Sequence, residues 1–192
     1  MLWSLPNLLT LSRIVAILPI LVLMFWREHA WAAWWALGIY TFACVTDYLD
    51  GWLARRNGEE SPIGVFLDPI ADKLLVGALL LMMAGTDRLT VWALPAAIVI
   101  LLREILVSGL REFLAGLRQV KLPVSHLAKW KTTTQMVALG ILIVGKHGPY
   151  FDQAWLDIGA VGLWVAAIIT LITGWDYMVV GLKHMLEPQE KT

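Results

Sequence analysis

The sequence predicts an all-α, polytopic membrane protein with six transmembrane helices, and two observations support this fold class. Hydrophobic residues make up 59% of the 192-residue chain, which exceeds the usual share of about half in soluble domains. They are gathered in nearly uncharged runs of about twenty residues, the length that an α-helix needs to cross a bilayer. Because no connection between the runs could hold a soluble domain, residues 1–192 are predicted to form a single integral-membrane domain.

The six predicted helices follow one another with short polar connections. The apolar runs fall roughly at Leu8–Trp26, Trp31–Leu53, Gly64–Ala84, Val91–Leu117, Met136–Val144 with an extension upstream, and Trp155–Val180. The pattern does not fix where the fifth helix begins, because Lys129 and Lys131 lie close to that point. Connections such as RRNGEESP, at positions 55–62, combine charged residues with the glycine and proline that end helices.

The basic residues predict the orientation in the membrane. With an even number of helices, both termini and the second-to-third and fourth-to-fifth connections lie on one side. All but three of the 15 lysines and arginines fall on that side, the exceptions being Arg27, Arg88 and Lys146. Cytoplasmic loops are enriched in such residues, so we predict an inner-membrane protein with both termini in the cytoplasm. The formal net charge of zero gives no reason to expect a nucleic-acid partner.

Two stripes of carboxylates lie at the cytoplasmic ends of the second and third helices. At 100° per residue, one face of the second helix carries Asp47, Asp50, Gly51, Ala54 and Arg55. The third helix carries Gly64, Asp68 and Asp72, spaced four residues apart. The short turn between the two helices makes them antiparallel neighbours, so the two stripes can face each other.

Four converging carboxylates predict a site for divalent cations. They would repel one another at the edge of a low-dielectric medium, and hard oxygen ligands suit Mg²⁺ or Mn²⁺. Asp47, Asp50, Asp68 and Asp72 could hold two such ions, and two metals about 3.5–4 Å apart are typical of displacement at phosphorus. The alternative is a structural network in which the aspartates pair with Arg55, Arg56 and Lys73.

The small residues beside the carboxylates favour a binding surface. Gly51 and Ala54 leave a shallow area against which a planar or phosphorylated group could lie, and Arg55 could contact a phosphate oxygen. Taken alone, Gly51 and Ala54 are more typical of close helix packing in membranes. Their position next to four aspartates favours binding.

The whole pattern, D-x2-D-G-x2-A-R-x8-G-x3-D-x3-D from Asp47 to Asp72, resembles the signature of the CDP-alcohol phosphotransferase family. The resemblance implies that family's six-helix fold and the transfer of a phosphatidyl group from a CDP-lipid to an alcohol, with release of CMP. It also implies that Asp47, Asp50 and Asp68 ligate metal. Asp72 would both ligate metal and act as the general base, and a homodimer is expected.

A polar stripe on the first helix extends the predicted site. Asn7, Thr10 and Arg13 recur at every third position within a 120° arc. Capping by Asn7 and snorkelling by Arg13 would explain them without any ligand. In the family that the chain resembles, this region lines the cytidine-diphosphate pocket, which favours a binding role for Asn7 and Thr10.

Basic residues on the fourth and fifth helices predict a phosphorylated acceptor. Arg103, Arg111, Lys129 and Lys131 would place positive charge near the cytoplasmic end of the bundle, which a neutral alcohol would not need. The segments that contain them, REILVSGLREFLAGLR and KLPVSHLAKWKTTTQ, resemble those of family members that join CDP-diacylglycerol to sn-glycerol 3-phosphate. Lys129 and Lys131 lie 200° apart on a helix, so both could reach one phosphate only from a non-helical segment. Topology signals or contacts to anionic headgroups are the alternative.

Other functions remain open at this point. Within the family, a sister transferase could use serine, inositol phosphate or phosphatidylglycerol as its acceptor. A divalent-cation transporter would also place carboxylates in a membrane, but the helices are apolar beyond Asp47 and Asp68, which leaves no polar path. A lipid-binding protein without turnover would not need a base at Asp72.

Overall fold

The computed structural model describes residues 5–57, 62–118, 126–148 and 152–186, and these residues fold into six α-helices with no strand among them. The helices are α1 (Leu5–Phe25), α2 (Ala30–Asn57), α3 (Pro62–Gly85), α4 (Leu94–Arg118), α5 (His126–Val144) and α6 (Asp152–Leu186). One-turn 3₁₀-helices at Val91–Ala93 and Gly145–His147 precede α4 and follow α5. The all-α prediction is confirmed, and each predicted apolar run falls on one of these helices.

The fifth helix begins earlier than its apolar run. It starts at His126, so Lys129 and Lys131 are both helical and their positions lie about 200° apart around the helix axis. The non-helical segment that would have let both lysines reach one phosphate is therefore not present.

The helices pack into one bundle. The helix α1 lies against α2 and α3, while α6 lies against α4 and α5, and α2 joins the two groups by packing on α5. Tyr40 of α2 donates a hydrogen bond to the carbonyl oxygen of Met136 at 3.0 Å. Gly162 allows α5 and α6 to approach closely, since a Cβ there would lie 3.0 Å from that of Ala138. The fully buried core side chains include Ile20, Met24, Leu75, Leu79, Met83, Ile100, Leu139, Leu142 and Leu163.

The outer surface of the bundle is apolar, as a lipid environment requires. Large exposed side chains include Val15, Leu18, Leu81, Leu102 and Leu171. Three helical segments are long and apolar enough to cross a membrane, namely Asn7–Phe25, Val91–Phe113 and Gln153–Val179. The chain is therefore an all-helical membrane protein with three candidate spans in the described residues.

The two ends of the bundle differ in composition. The beginning of α1, the second half of α2 and the first half of α3 meet at one end, where the predicted aspartates lie. The α1–α2 connection, the α3–α4 connection and the end of α5 meet at the other end. We call these the aspartate end and the opposite end.

Candidate active site

Three predicted metal ligands meet the polar stripe of α1 at the aspartate end. Arg13 is 1% exposed, and its Nη1 lies 2.5 Å from Asp47 Oδ1 and 3.0 Å from Asp72 Oδ1. The hydroxyl of Thr10 donates a hydrogen bond to Asp68 Oδ1 at 2.6 Å. One helix therefore contacts carboxylates from both α2 and α3.

The carboxylates form a negatively charged cluster. Asp47, Asp68 and Asp72 are near enough to repel one another electrostatically, and Arg13 offsets part of that repulsion. One guanidinium against three carboxylates leaves net negative charge. The side chains of Asp47 and Asp72 are 39% and 48% exposed, so cations can reach them from solvent.

The oxygen atoms of this cluster suit a hard divalent cation. They are anionic carboxylate oxygens, and the hydroxyl of Thr10 lies near them. No group of three or more His, Cys, Asp or Glu side chains is spaced for metal coordination among the described residues. Asp50, the fourth predicted ligand, lies on α2, but its side chain is outside the described part. The structure thus brings three of the four aspartates together through Arg13 and Thr10.

Arg13 is part of the aspartate cluster, which its position in the sequence did not indicate. Snorkelling would place its guanidinium in water, whereas the structure buries it between Asp47 and Asp72. The only sequence signal was the shared helical face with Asn7 and Thr10. Those two neighbours are also buried, at 4% and 1% exposure.

Removing the Arg13 charge should destabilise the metal-free protein. Arg13→Gln leaves Asp47 and Asp72 without their cation, and we expect a loss of about 1–3 kcal/mol, discounted because both carboxylates are partly exposed. Added Mg²⁺ supplies positive charge at the same place, so it should raise the melting temperature more in the variant than in the wild type. Thermal unfolding in detergent, with chelator and with Mg²⁺, measures both effects.

Ser12→Ala is the matched control. Ser12 is the exposed neighbour whose hydroxyl donates to the Leu9 carbonyl at 2.7 Å, and its loss should change neither melting temperature. An Arg13→Gln protein that responds to Mg²⁺ no more than the wild type would show that cations and Arg13 do not neutralise the same carboxylates.

A second charged cluster lies where α4, α5 and α6 meet. Arg111 Nη2 donates to the Tyr177 hydroxyl at 2.9 Å, and the guanidinium carbon lies 4.8 Å from the ring centroid. Arg103 Nη2 donates to Thr173 Oγ1 at 3.0 Å, and its guanidinium carbon is 5.9 Å from the same ring. Gly174 makes room for Arg103, because a Cβ there would lie 3.1 Å from the Arg103 side chain.

Lys131 completes this basic cluster. It is buried and pairs with Glu104, whose carboxylate also lies 3.7 Å from Arg103 Nη1. One carboxylate against three cations leaves the cluster with net positive charge. Tyr177 and Thr173 were not predicted from the sequence, since nothing in the spacing on α6 indicated that they face α4.

Lys73 lies close in sequence to the aspartate cluster and contacts the helix that carries Arg103 and Arg111. It follows Asp72 on α3, donates a hydrogen bond to Ser108 of α4, and lies 4.0 Å from Glu112. Ser108 is one helical turn before Arg111. For the remaining predicted residues the structure describes the helical backbone and nothing beyond it. These residues are Gly51, Ala54 and Arg55 on α2 and Lys129 on α5.

Comparison with known proteins identifies the family of the chain. The model of the CDP-alcohol phosphatidyltransferase family matches residues 3–173. The match covers most of the sequence, and the chain belongs to this family.

Curated relatives resemble the chain over nearly its whole length. The CDP-diacylglycerol–glycerol-3-phosphate 3-phosphatidyltransferase of Rickettsia typhi is 45% identical over 175 residues, or 91% of this chain and 94% of the relative. The protein of the same name from Cereibacter sphaeroides is 37% identical over 218 residues, or 95% and 97%. That of Pectobacterium atrosepticum is 38% identical over 187 residues, or 97% and 99%.

Proposed function

We propose that the chain transfers the phosphatidyl group of CDP-diacylglycerol to sn-glycerol 3-phosphate, forming phosphatidylglycerophosphate and CMP. The observation that carries the proposal is that one helical bundle holds both an aspartate cluster and a basic cluster, with Lys73, the residue after Asp72, bonded to Ser108 one helical turn before Arg111. A transferase with a phosphorylated acceptor needs both kinds of charge side by side. The shared name of the three relatives supports the same donor and acceptor.

The aspartate end is the proposed donor site. Asp47, Asp50, Asp68 and Asp72 would hold two Mg²⁺ or Mn²⁺ ions, and bound metal would stabilise negative charge on the diphosphate. Asn7 and Thr10 on α1 would contact the CDP group. On α2, Asp50, Gly51, Ala54 and Arg55 would form the remaining surface for the CDP-lipid. The hydrogen bond from Thr10 to Asp68 supports this role, because it brings Thr10 to the proposed metal ligands.

The reaction is a displacement at phosphorus. Asp72 accepts the proton of the acceptor hydroxyl, whose oxygen forms a bond to the phosphorus that carries diacylglycerol. The bond from that phosphorus to the CMP oxygen breaks, and CMP leaves. The contact of Arg13 with Asp72 Oδ1 would fix the orientation of the carboxylate for this proton transfer.

The basic cluster is the proposed site of the acceptor phosphate. Arg103, Arg111 and Lys131 are positioned by Thr173, Tyr177 and Glu104, so their donors are held before the acceptor binds. Lys129 remains a candidate ligand from the opposite side of α5. Because it does not share a face with Lys131, the two would contact different parts of the acceptor or different molecules.

The proposed setting is the cytoplasmic membrane. The chain would cross it six times, with both termini and the aspartate end in the cytoplasm, and would act as a homodimer. The basic residues support this orientation, since among the lysines and arginines that the structure describes only Arg27, Arg88 and Lys146 lie at the opposite end.

An acceptor screen tests the proposal. We expect purified protein with CDP-diacylglycerol and Mg²⁺ to release CMP when given sn-glycerol 3-phosphate, and to release none with serine or inositol. Arg111→Gln should raise KM for glycerol 3-phosphate about tenfold to a hundredfold, the cost of one charge-assisted contact. KM for CDP-diacylglycerol should stay unchanged, because the donor is bound at the other cluster.

Each rival gives a different result. Turnover with serine but not with glycerol 3-phosphate would assign the chain to a sister reaction. Equal KM values for glycerol 3-phosphate in Arg111→Gln and the wild type would show that the basic cluster does not bind the acceptor. Tyr177→Phe is the matched variant, since it removes only the hydroxyl that Arg111 contacts. We expect a smaller change in the same KM.

A further inference from the structure

A cavity lies at the opposite end of the bundle, away from both charged clusters of the candidate active site. Its volume is about 400 Å³. It lies between the α1–α2 connection, the α3–α4 connection and the one-turn helix after α5. The lining residues are Arg27, Glu28, Thr86, Asp87, Arg88, Lys146, His147 and Leu156.

Arg88 is the unusual residue of this cavity. It is 5% exposed, and its Nη1 has no hydrogen-bond partner among the described residues. Burial lowers the pKa of its guanidinium, which reflects the cost of holding the charge away from water. A buried donor without a partner is unfavourable, and a bound anion would offset that cost.

The other charges leave the cavity positive. Arg27 Nη1 pairs with Asp87 Oδ2 at 2.7 Å. His147 Nε2 lies 2.6 Å from the backbone oxygen of Arg27; since a carbonyl oxygen only accepts, that nitrogen carries the proton. With Arg27 and Asp87 paired, Arg88 and Lys146 outnumber Glu28 among the lining residues.

The arrangement has the chemistry of a phosphate site. A guanidinium and an ammonium at one cavity are typical ligands of phosphate oxygens. Trp26 lines a neighbouring cavity that shares Arg27, Glu28 and Thr86 with this one, and tryptophan collects at the headgroup level of membranes. We infer that this cavity binds a phosphate group, either of an anionic phospholipid headgroup or of a soluble phosphate, at the membrane face opposite the aspartate end.

The test uses hydrogen–deuterium exchange of the full chain, because peptide resolution separates this cavity from the acceptor cluster. Inorganic phosphate is titrated onto detergent-solubilised protein, and protection of residues 86–90 and 144–148 is measured. In parallel, exchange is compared in phosphatidylcholine nanodiscs with and without phosphatidylglycerol. Protection by phosphatidylglycerol alone identifies a headgroup site, and protection by inorganic phosphate alone identifies a soluble ligand. Protection by neither overturns the inference.

Charge variants make the test specific. Lys146→Gln, at an exposed position, should weaken binding about twofold to fivefold, and Glu28→Gln should strengthen it by a similar factor. Arg88→Gln should weaken it about tenfold to a hundredfold, with Arg88→Lys retaining part of the affinity. Since Lys146 is remote from the aspartates, turnover of CDP-diacylglycerol should stay at the wild-type level and report an intact fold. Equal affinities in Lys146→Gln, Glu28→Gln and the wild type would overturn the inference even if the Arg88 variants do not fold.

Discussion

Asp68→Asn should abolish measurable release of CMP, and Asp47→Asn and Asp50→Asn should do the same. Each change replaces an anionic oxygen by a neutral amide in a cluster proposed to bind divalent metal. Loss of a residue that merely supports a metal ligand costs about 10–100-fold in affinity or activity, so loss of a ligand itself should cost more. The measurement is CMP release across a Mg²⁺ titration. Wild-type activity should disappear in excess chelator and return with added Mg²⁺.

Asp157→Asn provides the matched control. It makes the same chemical change near the beginning of α6, at the opposite end of the bundle, and should leave turnover unchanged. Near-wild-type turnover in Asp47→Asn or Asp68→Asn, or full activity in chelator, would contradict the metal assignment.

The helices of this protein could be predicted from sequence because membrane helices are specified locally. An apolar run of spanning length predicts a helix whatever it packs against, and all six appeared near the predicted positions. The beginning of α5 was the exception. Its first turns are polar, so hydropathy did not reveal that the helix begins at His126.

The composition of the aspartate end could be predicted, but the contacts within it could not. Helical periodicity groups Asp68 with Asp72 and Thr10 with Arg13, since each pair lies on one helix. It does not show which face of α1 meets α3. The pairing of Arg13 with Asp47 and Asp72 depends on that tertiary choice, and snorkelling was an equally consistent interpretation.

The contacts within the basic cluster were even less predictable from the sequence. Arg103 and Arg111 were candidates because basic residues are conspicuous in apolar sequence. Tyr177 and Thr173 are ordinary residues for a membrane helix, and only the packing of α6 on α4 brings them to the arginines. Partners contributed by distant, unremarkable residues leave no local signal.

Asp72→Asn should separate chemistry from binding at the aspartate end. The amide oxygen of asparagine can still accept the contact from Arg13, which reaches Oδ1 in the wild type at 3.0 Å, so the geometry should be retained. The amide cannot take a proton from the acceptor hydroxyl. We therefore expect kcat to fall on the order of 10²–10⁴-fold, the usual contribution of a general base. Binding of CDP-diacylglycerol with Mg²⁺ should be largely kept.

Comparison with Asp68→Asn makes this prediction decisive. Both variants lose one carboxylate of the same cluster, and Thr10 and Arg13 hold Asp68 and Asp72 respectively. If Asp68 acts only as a ligand and Asp72 acts mainly as the base, Mg²⁺-dependent donor binding should fail in the first variant and be weakened much less in the second. Calorimetric titration of CDP-diacylglycerol in micelles measures binding, and single-turnover CMP release measures chemistry. Equal loss of metal-dependent binding in both variants would show that Asp72 acts chiefly as a ligand, and another group would have to accept the proton.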